Sequence, residues 1–286
     1  MSPVPGPEFS GRRGRILGAV DVKGRGLEIG PSHSPVAPKR EGFRVDVIDH
    51  RDREGLVEKY RGHGVDTDAI EEVDFVWNGS SYAELTGHSR YYDWIIASHV
   101  IEHVPNFVGF VNDCDELLCQ DGVLSLAVPD KRFCFDRMRP LTSIAQIIDA
   151  HVGNHRNHTA GRVAEYFLDV VKLDGAISWD ASVPSGMPAD GLEFLHGVED
   201  ARMGMRTILE QDAYLDIHAW CFTPSSFRLA IEDLFQLGLI HLRESVFHDT
   251  EGNEFFVSLS RSGSGPRKDR MTLIRDAEAE MVASAL

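Results

Sequence analysis

No segment of this 286-residue chain is an apolar run long enough to cross a bilayer, and its first residues lack the basic-then-apolar order of a secretory signal. The four cysteines, Cys114, Cys119, Cys134 and Cys221, form no C-x-x-C pair. That removes the common zinc and disulfide frameworks and leaves four reduced thiols as the expectation. Positive charge is scarce: 29 Lys and Arg stand against 45 Asp and Glu, a net −16. Such a surface repels phosphate backbones, so no nucleic-acid partner is expected. Also missing is a G-x-G-x-x-G turn, which weakens a nicotinamide-dinucleotide reading. These absences point to cytoplasmic residence, no membrane partner and a neutral or cationic small substrate.

Hydrophobic residues make up 42% of the chain, enough for a substantial core. From Leu27 on, short apolar runs alternate with helical patterns. Strands are expected at Gly26–Ile29, Phe43–Asp49, around Val73 within Ala69–Phe75, at Tyr92–Ser98 and at Val123–Val128. Helices are expected at Gly11–Val22, Arg53–Tyr60, Tyr82–Leu85 and Phe107–Leu118, the last closed by Gly122. Past Pro129 the alternation breaks. Helical stretches at Ile144–Val152 and Ala160–Val171 precede a run rich in Gly, Ser and Pro at Gly175–Gly191. A length of this kind between core elements is usually functional. The rhythm returns at Thr223, which reads as an N-cap with Pro224 in the first turn of a helix to about Leu237. Leu239–Phe247 and Glu254–Ser260 flank Asp249–Asn253, a hairpin signal. A last helix is expected at Met271–Ala285. The fold class is therefore α/β, a doubly wound parallel sheet of seven strands finished by an antiparallel edge hairpin, with ligands at the carboxyl ends of the strands.

Four positions converge on a cofactor. Gly26-Leu27-Glu28-Ile29-Gly30-Pro31-Ser32 is a strand running into a glycine turn, where the backbone can approach a ligand closely. Val45-Asp46-Val47-Ile48-Asp49 follows, and Asp49 with its neighbour His50 stands where a nucleotide-binding unit places the acid for ribose hydroxyls. Asp74-Phe75 offers a carboxylate and an aromatic for an adenine ring. Ser98-His99-Val100-Ile101-Glu102-His103-Val104-Pro105 ends the fourth strand. In this order the four resemble the cofactor segments of class I S-adenosylmethionine (SAM) dependent methyltransferases, of the methyltransferase type 11-like kind, whose core is Rossmann-like. The resemblance implies SAM as cofactor. It places Glu28 near the methionine amino group, Gly30, Pro31 and Ser32 in the cofactor loop, and Ser98 and His99 along the cofactor. It assigns Glu102-His103 to structure.

Ala127–Asp136 and Arg139-Pro140-Leu141-Thr142 resemble a subgroup in glycan and sugar-modifying pathways, and more faintly the O-methyltransferases of methylmannose polysaccharide assembly. This implies methyl transfer to a sugar hydroxyl, a poor nucleophile that needs a base, a metal or both. His218, His99 and Asp130 are the candidate catalytic groups, with Asp216 placed to orient His218. Arg132, Asp136, His155, Asp216 and Trp220 are candidates for substrate binding. Asp130 and Asp136 suit Mg2+, an oxygen-seeking ion and the candidate metal cofactor; its ligands stay unassigned. His151, His155 and His158 read as solvated or lid-packing rather than as a metal cluster, because Gly153 interrupts their helix.

The expected organisation is an arm and lead-in helix at 1–22, a SAM-dependent methyltransferase domain at 23–261 with a helical substrate-covering insertion at about 130–217, and a tail at 262–286. The expected partner is a small-molecule or saccharide substrate, with a homodimer as an open assembly. Competing readings are N- or O-methylation of a non-sugar metabolite and a catalytically silent fold that only binds.

Overall fold

The computed structural model describes residues 9–180 and 191–283; the arm at 1–8 and residues 181–190 of the Gly/Ser/Pro run lie outside them. Helix α1 (Gly11–Leu17) precedes strand β1 (Gly26–Ile29), then come β2 (Val45–Asp49), α2 (Arg53–Tyr60), β3 (Phe75–Val76), α3 (Tyr82–Thr86), β4 (Tyr92–Ser98), α4 (Phe107–Leu117) and β5 (Leu118–Pro129). After β5 come α5 (Ile144–Val152), α6 (Ala160–Asp169), β6 (Val171–Leu173), β7 (Leu192–Phe194) and α7 (Val198–Gln211). The chain closes with α8 (Pro224–Gln236), β8 (Arg243–Glu251), β9 (Glu254–Ser260) and α9 (Arg270–Ala283).

The main sheet has seven strands in the order β3-β2-β1-β4-β5-β9-β8, and β6 pairs with β7 apart from it. β1 to β5 run parallel, and β9 is antiparallel to both β5 and β8. Strand order reverses between β1 and β4, which opens a crevice at their carboxyl ends. Both faces are covered. Ile95 and Ala97 of β4 join a cluster with Phe107, Val111, Phe227 and Ile231, while Trp94 and Ile96 join Ile16, Leu17, Val36 and Phe256 on the other side. This two-sided burial explains why β4 reads as an unbroken apolar run rather than an alternation.

Local chemistry fixes the ends. Asp52 and Asn106 cap α2 and α4 by accepting the Gly55 and Gly109 N–H groups. Thr223 caps α8, with Pro224 at its first position. Glu251 pairs with Glu254, so the hairpin turn is only Gly252-Asn253, with Gly252 at φ +68°.

Three expectations are corrected here. The third strand is Phe75–Val76 rather than a span around Val73, because the residues before it turn at Thr67–Ala69. Helix α4 passes straight into β5: Leu118 pairs with Tyr92, and the ladder resumes at Trp94 and Val123 after a register shift, so Gly122 lies inside the strand and caps nothing. The insertion also contains α7, which packs on α6 and which the loose composition ahead of it concealed.

Candidate functional site

The glycine turn leaves β1 at the switch point. Gly30 takes φ +64°, and a Cβ there would come within 2.9 Å of Val100 Cγ2, so the loop after β1 lies directly against the segment after β4. Ser32 is also left-handed at φ +48° and donates its N–H to Asp49 Oδ2 at 2.9 Å. Asp49 Oδ1 accepts the His50 N–H and lies 2.6 Å from His50 Nδ1. Asp49 thus ties the ends of β1 and β2 together. Asp49 is buried, and these three nitrogens face three of the four lone-pair positions of its carboxylate, which leaves one for a ligand hydroxyl.

Glu28 is buried and accepts the N–H groups of Val36 at 2.6 Å and Ala37 at 3.1 Å, which folds the Pro31–Ala37 loop back over β1. Burial pushes its pKa up to about 7, against the pull of those two donors. Pro31 starts the loop and accepts the Ser34 N–H.

Asp74 does not follow β3 but precedes it, level with Val47. Its carboxylate takes the Val47 N–H at 2.7 Å and Lys39 Nζ at 2.5 Å, and it lines a cavity of about 460 Å³ with Arg25, Arg44 and Tyr91, which precede β1, β2 and β4. The cavity therefore opens at the opposite edge from the crevice, and Asp74 is not placed for an adenine bound there. Phe75 is half-buried with its ring edge-on to His88.

Ser98 ends β4 and accepts a hydrogen bond from Arg12 of α1 at 2.6 Å; Arg12 also pairs with Glu254. His99 takes φ +54°, with Nε2 2.9 Å from Glu254 Oε2 and Nδ1 3.5 Å from Glu102 Oε1. Burial would raise the Glu254 pKa, but His99 and Arg12 hold it below the usual range.

The centre of the site is Glu102. Its side chain is fully buried, and neither carboxylate oxygen has a hydrogen-bond partner. Glu102 Oε1 faces three ring nitrogens: His99 Nδ1 at 3.5 Å, His103 Nε2 at 3.9 Å and His218 Nε2 at 3.9 Å. The opposite nitrogen of each ring faces a second carboxylate. His218 Nδ1 is 2.5 Å from Asp136 Oδ2, His103 Nδ1 is 2.9 Å from Asp216 Oδ1, and His99 Nε2 meets Glu254. Burial alone would lower the His103 pKa, but Asp216 and Glu102 raise it; the close approach of His103 holds Asp216 well below the carboxylate range despite burial. The Glu102 carbonyl accepts the Ala219 and Trp220 N–H groups, which docks the returning chain against β4.

Asp136 is buried between His218 and Arg139. Burial would raise its pKa, but those two partners hold it well below the carboxylate range. Arg139, itself fully buried, also reaches the His218 carbonyl at 2.8 Å and Glu165 of α6 at 2.9 Å. The insertion is thereby bolted to the site. On the other side, Lys59 of α2 stands 3.1 Å from His50 Nε2 and 3.6 Å from Asp216, which links the β2 end to the histidine cluster.

Several expected roles fall away on these contacts. Asp130 is buried, held bidentately by Arg132, and accepts the Thr250 hydroxyl, so neither it nor Arg132 is free for proton transfer or substrate binding. Asp136 serves His218 rather than a substrate, and Asp216 orients His103 rather than His218. With Asp130 neutralised by Arg132 and Asp136 by Arg139, those two aspartates do not fit a magnesium ion. Trp220 is buried, its Nε1 on the Val104 carbonyl and its ring under Arg162, so it is core and no sugar platform. His155 closes the end of α5 by donating its N–H to the Ala150 carbonyl, with its ring against Gly153, and does not meet the cluster. Helix α5 ends at Val152, so His151 and His155 share no helical face. Among the described residues, Glu102, His103 and His218 are the group whose ligand atoms converge as a metal's would. Sequence reasoning left Glu102-His103 as structural; the signal was the H-x-x-E-H spacing, which a single 3₁₀ turn at Ile101–His103 folds inward.

No protein-family model and no curated protein matches the chain. Solved structures do resemble it. A Rhodobacter sphaeroides protein described as a candidate Zn-dependent alcohol dehydrogenase shares 11% identity, over 90% of this chain and 91% of its own, with a TM-score of 0.45. A SAM-dependent methyltransferase from Thermotoga maritima shares 11% identity, over 87% and 88%, with a TM-score of 0.38. The CcbJ methyltransferase of Streptomyces caelestis shares 16% identity, over 45% of this chain and 57% of its own, with a TM-score of 0.30. The chain thus spans little more than half of that last protein. Likenesses this distant do not carry an activity over.

Proposed function

We propose that the chain is a SAM-dependent methyltransferase whose acceptor is a hydroxyl of a sugar or oligosaccharide. The observation that carries the reading is the placing of Asp49, the Gly30 turn and Ser98-His99 at the carboxyl ends of adjacent strands β2, β1 and β4, where strand order reverses, with a histidine–carboxylate cluster directly behind. Gly30 leaves a cradle that a side chain would fill, and Asp49 offers the charged acceptor for a ribose. Bound there, SAM supplies a methyl group on a positively charged sulfur.

The chain's own residues then hold the acceptor and remove its proton. Asp136 and Asp216 orient the His218 and His103 rings, and His99 is the most exposed of the three, a third open to solvent. In this reading His99 takes the acceptor's proton, with His218 behind it in the cluster. The sugar acceptor rests on the resemblance of Ala127–Asp136 and Arg139–Thr142, and the net charge of −16 suits a neutral or cationic acceptor. A cytoplasmic setting belongs to the same reading.

The test is incubation of the full chain with methyl-labelled SAM and separate panels of saccharides, small amines and carboxylic acids. Label on a saccharide hydroxyl, abolished in His99→Ala with His218→Ala, is the expected result. Label on an amine or acid alone overturns the sugar acceptor. SAM binding without transfer to any acceptor overturns the enzyme.

A further inference from the structure

Glu102 is an ionisable side chain with no exposure and no hydrogen bond on either oxygen. An isolated buried carboxylate is costly unless a partner neutralises it or a metal binds it. Around it the structure places two imidazole nitrogens, His103 Nε2 and His218 Nε2, each 3.9 Å from Glu102 Oε1, on rings whose centroids are 4.6 Å apart and nearly perpendicular. The three ligand atoms lie within 4.8 Å of one another, and donors bound tetrahedrally at about 2.1 Å stand about 3.4 Å apart, so rotamer adjustments of at most about 1.4 Å close this set on an ion. Each ring is already backed by a carboxylate on its other nitrogen, Asp216 for His103 and Asp136 for His218. That is the arrangement by which proteins fix the tautomer and orientation of metal-bound histidines.

We infer that Glu102, His103 and His218 form a binding site for one divalent transition-metal ion of the zinc class, with a coordination position left open toward His99. Two imidazoles and one carboxylate suit zinc, cobalt, nickel or iron(II) and not magnesium, which keeps to oxygen ligands. Metal binding stands on this geometry alone. Its use rests on the proposed methyl transfer: the metal would bind the acceptor oxygen and lower the pKa of its hydroxyl, the proton would pass to His99, and the oxygen would form its bond to the methyl carbon as the sulfur–carbon bond breaks.

The experiment is a titration of the chelator-treated full chain with Co2+ and with Zn2+, without SAM, read by calorimetry and by the visible absorption of bound Co2+. The expected result is one ion per chain with the absorption of a four- or five-coordinate site, and no heat from Mg2+. Glu102→Gln and His103→Gln should each weaken binding at least 10-fold, Asp216→Asn by about 10- to 100-fold, and the exposed His63→Ala not at all. Circular dichroism confirms that each variant is folded, and the partly buried His103 serves if Glu102→Gln is not. No stoichiometric binding, or binding unchanged in both His103→Gln and Glu102→Gln, overturns the site. A separate titration with S-adenosylhomocysteine (SAH) reports on the cofactor, so failure of one leaves the other readable.

Discussion

Asp136 Oδ2 lies 2.5 Å from His218 Nδ1, and that contact, between residues 82 apart in the chain, turns the other imidazole nitrogen toward Glu102. It joins the loop after β5 to the chain returning from the insertion. A fixed tautomer and a fixed ring direction are what a base or a ligand needs before any substrate arrives.

Asp136→Asn keeps the size of the side chain and removes the charge that aligns the ring. Turnover is expected to fall roughly 100-fold or more, while the affinity for SAH changes less than 3-fold. Steady-state kinetics beside SAH calorimetry check this. A parallel loss of SAH affinity would show that Asp136 acts on the cofactor half of the site instead.

Arg139 is the fully buried bolt between Asp136, the His218 carbonyl and Glu165. Arg139→Met leaves Asp136 with one cationic partner fewer in the interior, and unfolding stability should drop by about 3–5 kcal/mol. Arg202→Met, which breaks an exposed pair with Glu199 on α7, should change stability by less than about 1 kcal/mol. Urea denaturation compares the two. Equal effects contradict the structural role assigned to Arg139.

Glu28 gives a pH dependence with a defined sign. Its pKa rises from an ordinary 4.5 to about 7 on folding, so between these values the folded chain keeps a proton that the unfolded chain has released. Stability falls as pH rises through that window, by up to roughly 3 kcal/mol. Glu28→Gln is neutral throughout and should flatten the fall. Melting temperatures at pH 5, 6, 7 and 8 measure it; the same slope in parent and variant assigns the dependence elsewhere.

Much of the core was legible because it is local. Apolar runs and helical spacing located α2, β4 and α5, the Thr223 cap located α8, and Asp249–Asn253 marked the edge hairpin. Asp74 was misplaced because β3 is only two residues long, too short to leave a pattern, so the carboxylate was read at the wrong end of it. The site's partners were hidden for a different reason. Asp136 and His218, or His99 and Glu254, meet only once the sheet has formed, and nothing in their sequence neighbourhoods marks the pairing. Asp216 looked like the partner of His218 because it is two residues away; it reaches His103 instead. Likewise Asp130 beside Arg132 looked reactive, when the two neutralise each other.

The central claim is that the crevice between β1, β2 and β4 holds SAM, and calorimetric titration of the full chain with SAH tests it most directly. The account expects one SAH per chain, weakened roughly 10- to 100-fold by Asp49→Ala through loss of charge-assisted hydrogen bonds, and weakened also by Gly30→Ala, whose methyl meets Val100. No binding by the parent chain, or equal binding by parent and both variants, would contradict it.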